Sequence, residues 1–174
     1  MDWQIKTVIY LNKLGRGRID HCLRFLSSIR FLAVFWLVVS IAAYAARPES
    51  GLILTSQIML VAGLHFIITE AIFKHLLRIF FKTRKRPYLE YPNQIKAIGR
   101  KFSDASFPSS HMATTCAMVY VLAYAFPILM PFGILFILFM AFSRLHNGMH
   151  YPVDVIFGSL LGIAYGMVAV NLVL

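Results

Sequence analysis

The sequence predicts an all-α integral membrane protein, a bundle of about five transmembrane helices preceded by an amphipathic, interfacial N-terminal segment. Three observations carry that expectation. Hydrophobic residues make up 59% of the 174-residue chain and charged residues 14%, against about 25% charged in a soluble domain. Several apolar stretches approach the ~20 residues that a spanning helix needs. The charges that do occur gather between those stretches, as they must at a membrane surface.

Residues 1–28 mix Ile5, Val8, Leu11 and Leu23 with Lys13, Arg16, Arg18 and Asp20. That density of charge forbids spanning and suits one or two helices lying in the interface. No apolar core there ends in a small-residue cleavage site, so no cleavable signal peptide is expected. The first span runs from about Arg30 to Ala46 and stops at Arg47-Pro48. The second starts near Leu52 and stays apolar to about Phe81, with a polar sector at His65, Glu70 and Lys74. Residues 82–107 form a basic, mostly polar connection. The third span follows Pro108 and ends near Phe126-Pro127, the fourth runs from about Pro131 to Phe142, and the fifth from Pro152 to the C-terminus. No internal repeat, low-complexity tract or second domain is visible, so residues 1–174 read as one membrane-embedded domain. Cys22 and Cys116 sit in contexts that suggest neither a disulfide nor a metal pair.

The net charge of +10 would fit nucleic acid, but no nucleic-acid module is present, and anionic headgroups explain the basic residues more simply. Five spans put the N-terminal segment, the 82–107 connection and the 143–153 turn on one side. Residues 1–30 carry six Lys/Arg, residues 74–107 carry nine and Arg144 adds one, while only Arg47 lies opposite. The positive-inside rule reads that side as cytoplasmic. Arginines kept as anion ligands would bias the same count.

Two polar cassettes interrupt the apolar pattern. Ser143-Arg144-Leu145-His146-Asn147-Gly148-Met149-His150-Tyr151-Pro152-Val153-Asp154 lies between the fourth and fifth spans, and Phe107-Pro108-Ser109-Ser110-His111 opens the third. Ionisable groups at membrane depth default to a functional reading. Pro152 suits the first turn of a helix, which puts His150 at a helix N-terminus with Asp154 four residues on, on the same face. Asp154 could accept the Nδ1 proton and leave Nε2 as a nucleophile. Two helix N-termini would then aim unpaired N–H groups at one place, an anion site, and Arg144 could fork two phosphate oxygens.

Those residues resemble the type 2 phosphatidic acid phosphatase family, whose fold also serves glucose-6-phosphatase and vanadium haloperoxidases. The resemblance spans roughly residues 78–158. The family's third motif, Ser-Arg, five residues, His, three residues, Asp, is matched in full by Ser143, Arg144, His150 and Asp154. The second, Pro-Ser-Gly-His, stands here as Pro108, Ser109, Ser110 and His111, with Ser in place of Gly. The first, Lys, six residues, Arg-Pro, is matched at Arg86 and Pro87, with Ile79 at the Lys position and Arg78 or Lys82 as alternative sources of the cation.

The resemblance implies that His150 attacks phosphorus and forms a phosphohistidine, with Asp154 orienting it. It implies that His111 protonates the leaving oxygen and then activates water. Arg86, Arg144 and Lys82 or Arg78 would neutralise developing charge, and Ser109 with the Ser110 amide would hold a phosphate oxygen. No metal or other cofactor is expected. The implied substrate is a lipid phosphate, of the phosphatidylglycerophosphate, phosphatidate, undecaprenyl diphosphate or lipid A class. A lipid-to-lipid phosphotransferase would use the same residues, and a non-enzymatic transporter or scramblase on a decayed site is the third alternative. The expected location is a bacterial inner membrane. The charge count favours an inward site and precedent in bacterial relatives of the fold an outward one. Oligomeric state is not readable from the sequence, and His146, outside every motif position, reads as structural.

Overall fold

The computed structural model describes residues 2–76, 79, 83–102 and 104–173. Its elements are α1 (Trp3–Lys13), α2 (Asp20–Leu26), α3 (Ile29–Ala46), α4 (Pro48–Leu64), α5 (Pro87–Glu90), α6 (Ser110–Ala125), α7 (Met130–His146) and α8 (Pro152–Leu172). A π-helical segment, His65–Leu76, prolongs α4, and a 3₁₀ turn, Pro127–Leu129, leads into α7. Prolines open α4 and α8, and Ser28 caps α3 by accepting the Phe31 N–H at 3.2 Å.

Among the described residues, four helices are long and apolar enough to cross a membrane: Ile29–Ala46, Pro48–Leu76, Pro127–His146 and Pro152–Leu172. The fifth, α6, has 16 residues, about 24 Å of helix against a hydrocarbon core of ~30 Å. It can be short because protein rather than lipid surrounds it. Met112, Ala113, Cys116, Ala117 and Val121 are all buried in the main core.

The tightest packing in the molecule joins α6 to α8. Gly158, Gly162 and Gly166 form a stripe of small residues at i,i+4 spacing, a pattern that lets helix backbones approach closely. A Cβ at Gly158 would meet the Ser109 carbonyl oxygen at 2.5 Å, one at Gly162 would overlap the Ala113 carbonyl oxygen, and one at Gly166 would meet Tyr120 Cβ at 2.7 Å. The pairing advances in the same direction along both chains, so α6 and α8 are parallel and their N-termini lie side by side. Antiparallel α4 packs against this pair: Gln57 Nε2 donates to the Val173 carbonyl at 2.8 Å, and Thr69 and Tyr165 share a hydrogen bond of 2.9 Å.

The N-terminal segment departs from the simple interfacial picture. Ile5 and Val8 of α1 are buried in a second, smaller core with Tyr88, Ile95, Met149 and Tyr151. Asn12, also buried, donates to the His146 carbonyl at 2.6 Å and the Lys96 carbonyl at 2.9 Å, and accepts the Lys96 N–H at 3.0 Å. The apolar face of α1 therefore covers the 83–107 connection, while Lys13, Arg16 and Arg18 stay exposed.

Candidate active site

Parallel α6 and α8 bring the two cassettes together at one end of the bundle, and the Ser109 N–H donates to the Asp154 carbonyl at 3.1 Å. Gly148, at φ +69, turns the chain between α7 and α8 so that His150 sits just before α8. His150 is buried, and its Nδ1–H donates to the Ser106 carbonyl at 2.7 Å. That leaves the lone pair on Nε2, where Arg86 Nη1 approaches to 3.4 Å.

Asp154 differs from the sequence expectation. Its Oδ2 stands 3.9 Å from His150 Nδ1, too far for a hydrogen bond. Its oxygens are taken instead by the Tyr151 N–H, 2.9 Å from Oδ2, and Arg84 Nη1, 2.8 Å from Oδ1. Asp154 is thus a negative charge behind the imidazole, while a backbone carbonyl orients the ring. Arg84 also donates to Gln4 Oε1 at 3.1 Å and covers the Tyr151 ring at 3.8 Å. The sequence alone leaves Arg84, like Lys82 and Lys85, evenly divided between anion ligand and solvated basic run.

Arg86 is buried and held from several sides. Nη2 donates to Asp104 Oδ1 at 2.7 Å, Nε to the Asp104 carbonyl at 3.3 Å and Nη1 to the Met149 carbonyl at 3.3 Å. The other oxygen of Asp104 meets Lys74 Nζ at 3.0 Å, and Lys74, itself buried, also pairs with Glu70 Oε1 at 3.1 Å. Burial pushes the Asp104 carboxyl up, but the Arg86 and Lys74 charges outweigh it and hold the group below its ordinary range.

Lys74 is the site residue that sequence reasoning passed over as part of a polar sector. The π-helical segment carries it to Asp104, one carboxylate away from Arg86. The available signal was an isolated Glu-Lys pair at i,i+4 inside an otherwise apolar span. Arg78 and Lys82, the expected sources of the first-motif cation, lie outside the described residues.

Arg144 is buried at the end of α7, where Nη2 donates to Ser143 Oγ at 3.2 Å and Nε has no partner. A buried guanidinium with an unspent N–H is a receptor for an anion. Ser109 Oγ is likewise buried and unpartnered. Ser110 Oγ donates to Glu70 Oε1 at 2.5 Å, so the residue standing where the motif has Gly ties the second span to the third. His111 Nε2 donates to the Ser27 carbonyl at 3.1 Å, leaving Nδ1 for another partner.

Burial, then the Arg86 and Arg144 charges and the His111 and Lys74 groups, push the His150 imidazole well below its ordinary value. His150 is neutral at pH 7. His146 has both nitrogens engaged, Nδ1 with the Leu11 carbonyl at 2.8 Å and Nε2 with Asp20 Oδ1 at 2.9 Å. It anchors the N-terminal segment.

Among the described residues no three His, Cys, Asp or Glu side chains gather as a metal-ligand set. A cavity of about 300 Å³ opens beside His111 and Arg144. A larger one, about 540 Å³, lies among α3, α6 and α7 against Trp36, Val119 and Phe136, and offers no ionisable group.

The model of the PAP2 superfamily matches residues 57–174. A decaprenylphosphoryl-5-phosphoribose phosphatase of Mycobacterium tuberculosis is 30% identical over 136 residues, covering 76% of this chain and 68% of the relative. The crystal structure of LpxE from Aquifex aeolicus superposes with a TM-score of 0.73 at 21% identity, covering 98% of this chain and 96% of that one. A transmembrane PAP2 type phosphatidylglycerolphosphate phosphatase from Bacillus subtilis gives a TM-score of 0.72 at 17% identity, covering 97% and 83%. At those identities the two structures establish a shared fold.

Proposed function

We propose, since the chain belongs to the PAP2 superfamily, that it is a phosphatase of a membrane lipid phosphate and works through a phosphohistidine. The observation that carries this reading is the neutral, buried His150, its Nε2 lone pair directed at Arg86 and its other nitrogen occupied by Ser106. The substrate phosphate would take up the unspent Arg144 Nε and the Arg86 Nη1 that caps Nε2, with Ser109 Oγ and the free first-turn amides of α6 on its other oxygens.

In the first step His150 Nε2 attacks phosphorus, an N–P bond forms, and the bond from phosphorus to the lipid oxygen breaks. The departing oxygen keeps the electron pair and takes the proton that His111 Nδ1 has accepted from the monoanionic substrate phosphate on binding, while His111 Nε2–H stays on the Ser27 carbonyl. Asp154, 3.9 Å behind the ring, stabilises the imidazolium-like charge of the phosphohistidine. In the second step water gives a proton to His111 and its oxygen to phosphorus. The N–P bond breaks, and inorganic phosphate leaves. Arg86 and Arg144 oppose the charge on the equatorial oxygens throughout, Lys74 positions Arg86 through Asp104, and the scheme requires no metal.

The site lies at the ends of apolar helices, where a lipid keeps its tails in the bilayer while its phosphate enters. The named relatives act on a decaprenylphosphoryl-5-phosphoribose and a phosphatidylglycerolphosphate, and both names support a lipid substrate here. Phosphatidate, undecaprenyl diphosphate and lipid A complete the panel. A bacterial inner membrane is the location this reading assigns.

The test is phosphate release by the purified chain and by His150→Ala in detergent, with a chelator present and no acceptor lipid added. Release by the wild type at least ~100-fold faster than by the variant supports covalent catalysis at His150. Equal rates sink the phosphohistidine, and dependence on an acceptor lipid assigns a phosphotransferase instead.

A further inference from the structure

Of the groups assigned to the reacting phosphate, His111 and Arg144 line the 300 Å³ cavity, while His150, Arg86 and Ser109 do not. Beyond His111 and Arg144 it is walled by Arg24 of α2, Arg30 of α3 and Arg100 of the connection. These three are exposed, and none forms an ion pair among the described residues, although Arg24 Nη2 donates to His21 Nδ1 at 3.2 Å and Arg100 lies over the Phe102 ring at 5.5 Å. Arg24 and Arg100 are held close because Gly99, at φ +92, passes directly against Arg24, where a Cβ would meet Cγ at 3.2 Å. Among the described residues no carboxylate lines the cavity. Two buried atoms at its inner end also lack partners, the donor Arg144 Nε and the acceptor Asn147 Oδ1.

One phosphate monoester does not need this much charge. Arg86 and Lys74 already share Asp104 and Glu70, and Arg144 with the free edge of Arg86 suffices for the reacting group. Three further arginines around one cavity raise a positive potential that favours an anion between them.

We propose that the cavity binds a second phosphate of the substrate, a phosphodiester joined to the reacting monoester through a short hydroxylated spacer, with Arg24, Arg30 and Arg100 as its receptor. This rests on the phosphatase reading, in which His111 protonates the leaving oxygen. Whatever that oxygen carries extends from His111 into this cavity. Asn147 Oδ1 accepts a hydroxyl of the spacer. The volume equals roughly ten waters, enough for one phosphodiester and a polyol or pentose. Ile29, exposed at the start of α3, continues the path into the bilayer for the tails. The substrate class is therefore a lipid phosphodiester of a polyol or sugar phosphate, rather than a lipid carrying a single phosphate.

The experiment measures kcat/KM of the full chain in detergent on phosphatidylglycerophosphate and on phosphatidate with matched acyl chains. It compares wild type with Arg24→Gln/Arg30→Gln/Arg100→Gln, whose folding is checked by its melting temperature. The wild type is expected to prefer the two-phosphate lipid, and the triple variant to lower that preference on the order of 10–100-fold. Single variants give the same readout in smaller steps if the triple variant does not fold. Equal wild-type rates on the two lipids, or an equal fall on both in the variants, overturns the second site and leaves the arginines as general attractors of an anionic surface. Undecaprenyl diphosphate, assayed alongside, carries two phosphates with no spacer, and a wild type that prefers it to phosphatidylglycerophosphate overturns the spacer. A wild type that hydrolyses none of them removes the phosphatase reading itself, and this inference with it.

Discussion

At His150 the choice of proton acceptor decides what substitutions can do. The Nδ1–H goes to the Ser106 carbonyl, which no side-chain change removes, so Asp154→Asn is expected to keep the tautomer and lose only the charge behind the ring. A fall in kcat of about 10–100-fold is expected for it, against at least ~100-fold for His150→Ala, measured by phosphate release under saturating lipid. The pH dependence follows from the same burial. Protonating His150 would remove the nucleophile, and burial with Arg86 and Arg144 nearby holds its pKa well below 6.5. As pH falls from neutral to 6.5, kcat/KM should therefore not lose activity through His150, and an acid limb assigned to it at or above 6.5 would contradict the site. Lys74 is a positioning residue for Arg86 through Asp104. Lys74→Met is expected to lower kcat/KM by about tenfold or more, with substantial recovery in Lys74→Arg, because a cation facing Asp104 is what the site requires. Loss without recovery would mark Lys74 as structural only.

Among the elements, the α6–α8 pair makes the site possible. Neither helix carries both candidate catalytic histidines. His111 opens one, and His150 precedes the other. They meet because Gly158, Gly162 and Gly166 let the backbones approach until Cβ atoms would collide. Gly162→Val is expected to destabilise by about 1–3 kcal/mol through overpacking and to reduce activity, because separating the helices separates the histidines. The melting temperature in detergent should fall by about 2–4 °C per kcal/mol. Gly63→Ala is the control, since nothing lies within 4 Å of a Cβ there. A variant at Gly162 that melts and works like the Gly63 control would disprove the close-packing account.

For the whole molecule, the N-terminal segment and the basic connection form one cap over the helix ends. Ile5 and Val8 are buried against Tyr88 and Ile95, Asn12 binds Lys96 and His146, and Gln4 reaches Arg84, which in turn holds Asp154. Deleting residues 2–13 would strip the apolar cover from residues 83–102. Limited trypsin digestion is expected to cut the deletion protein faster at Lys85, Lys96 and Arg100 than the full chain, with activity falling in parallel. Unchanged cleavage would show that the cap stands without α1.

Much of this was legible in the chain itself. Apolar run length specified the spans, because a hydrocarbon core rejects unpaired polar backbone whatever the neighbouring helices do. The spacing of Ser143, Arg144, His150 and Asp154 marked the site, because polar residues between apolar helices have few places to go. Other features depended on contacts between distant segments. Ser106 rather than Asp154 takes the imidazole proton because the capping N–H of Tyr151 and Arg84 occupy the carboxylate first. Lys74 joins the site through a π-helical segment whose hydrogen bonding no periodicity rule anticipates. The amphipathic N-terminus covers protein as well as lying at a surface, since an apolar helix face looks the same in sequence whether lipid or a second core receives it. Sequence determined which residues are apolar, basic and nucleophilic. Tertiary packing decided which distant groups touch, because bonds such as Arg86–Asp104, Arg84–Asp154 and His150–Ser106 join segments whose separation along the chain carries no record of their distance in space.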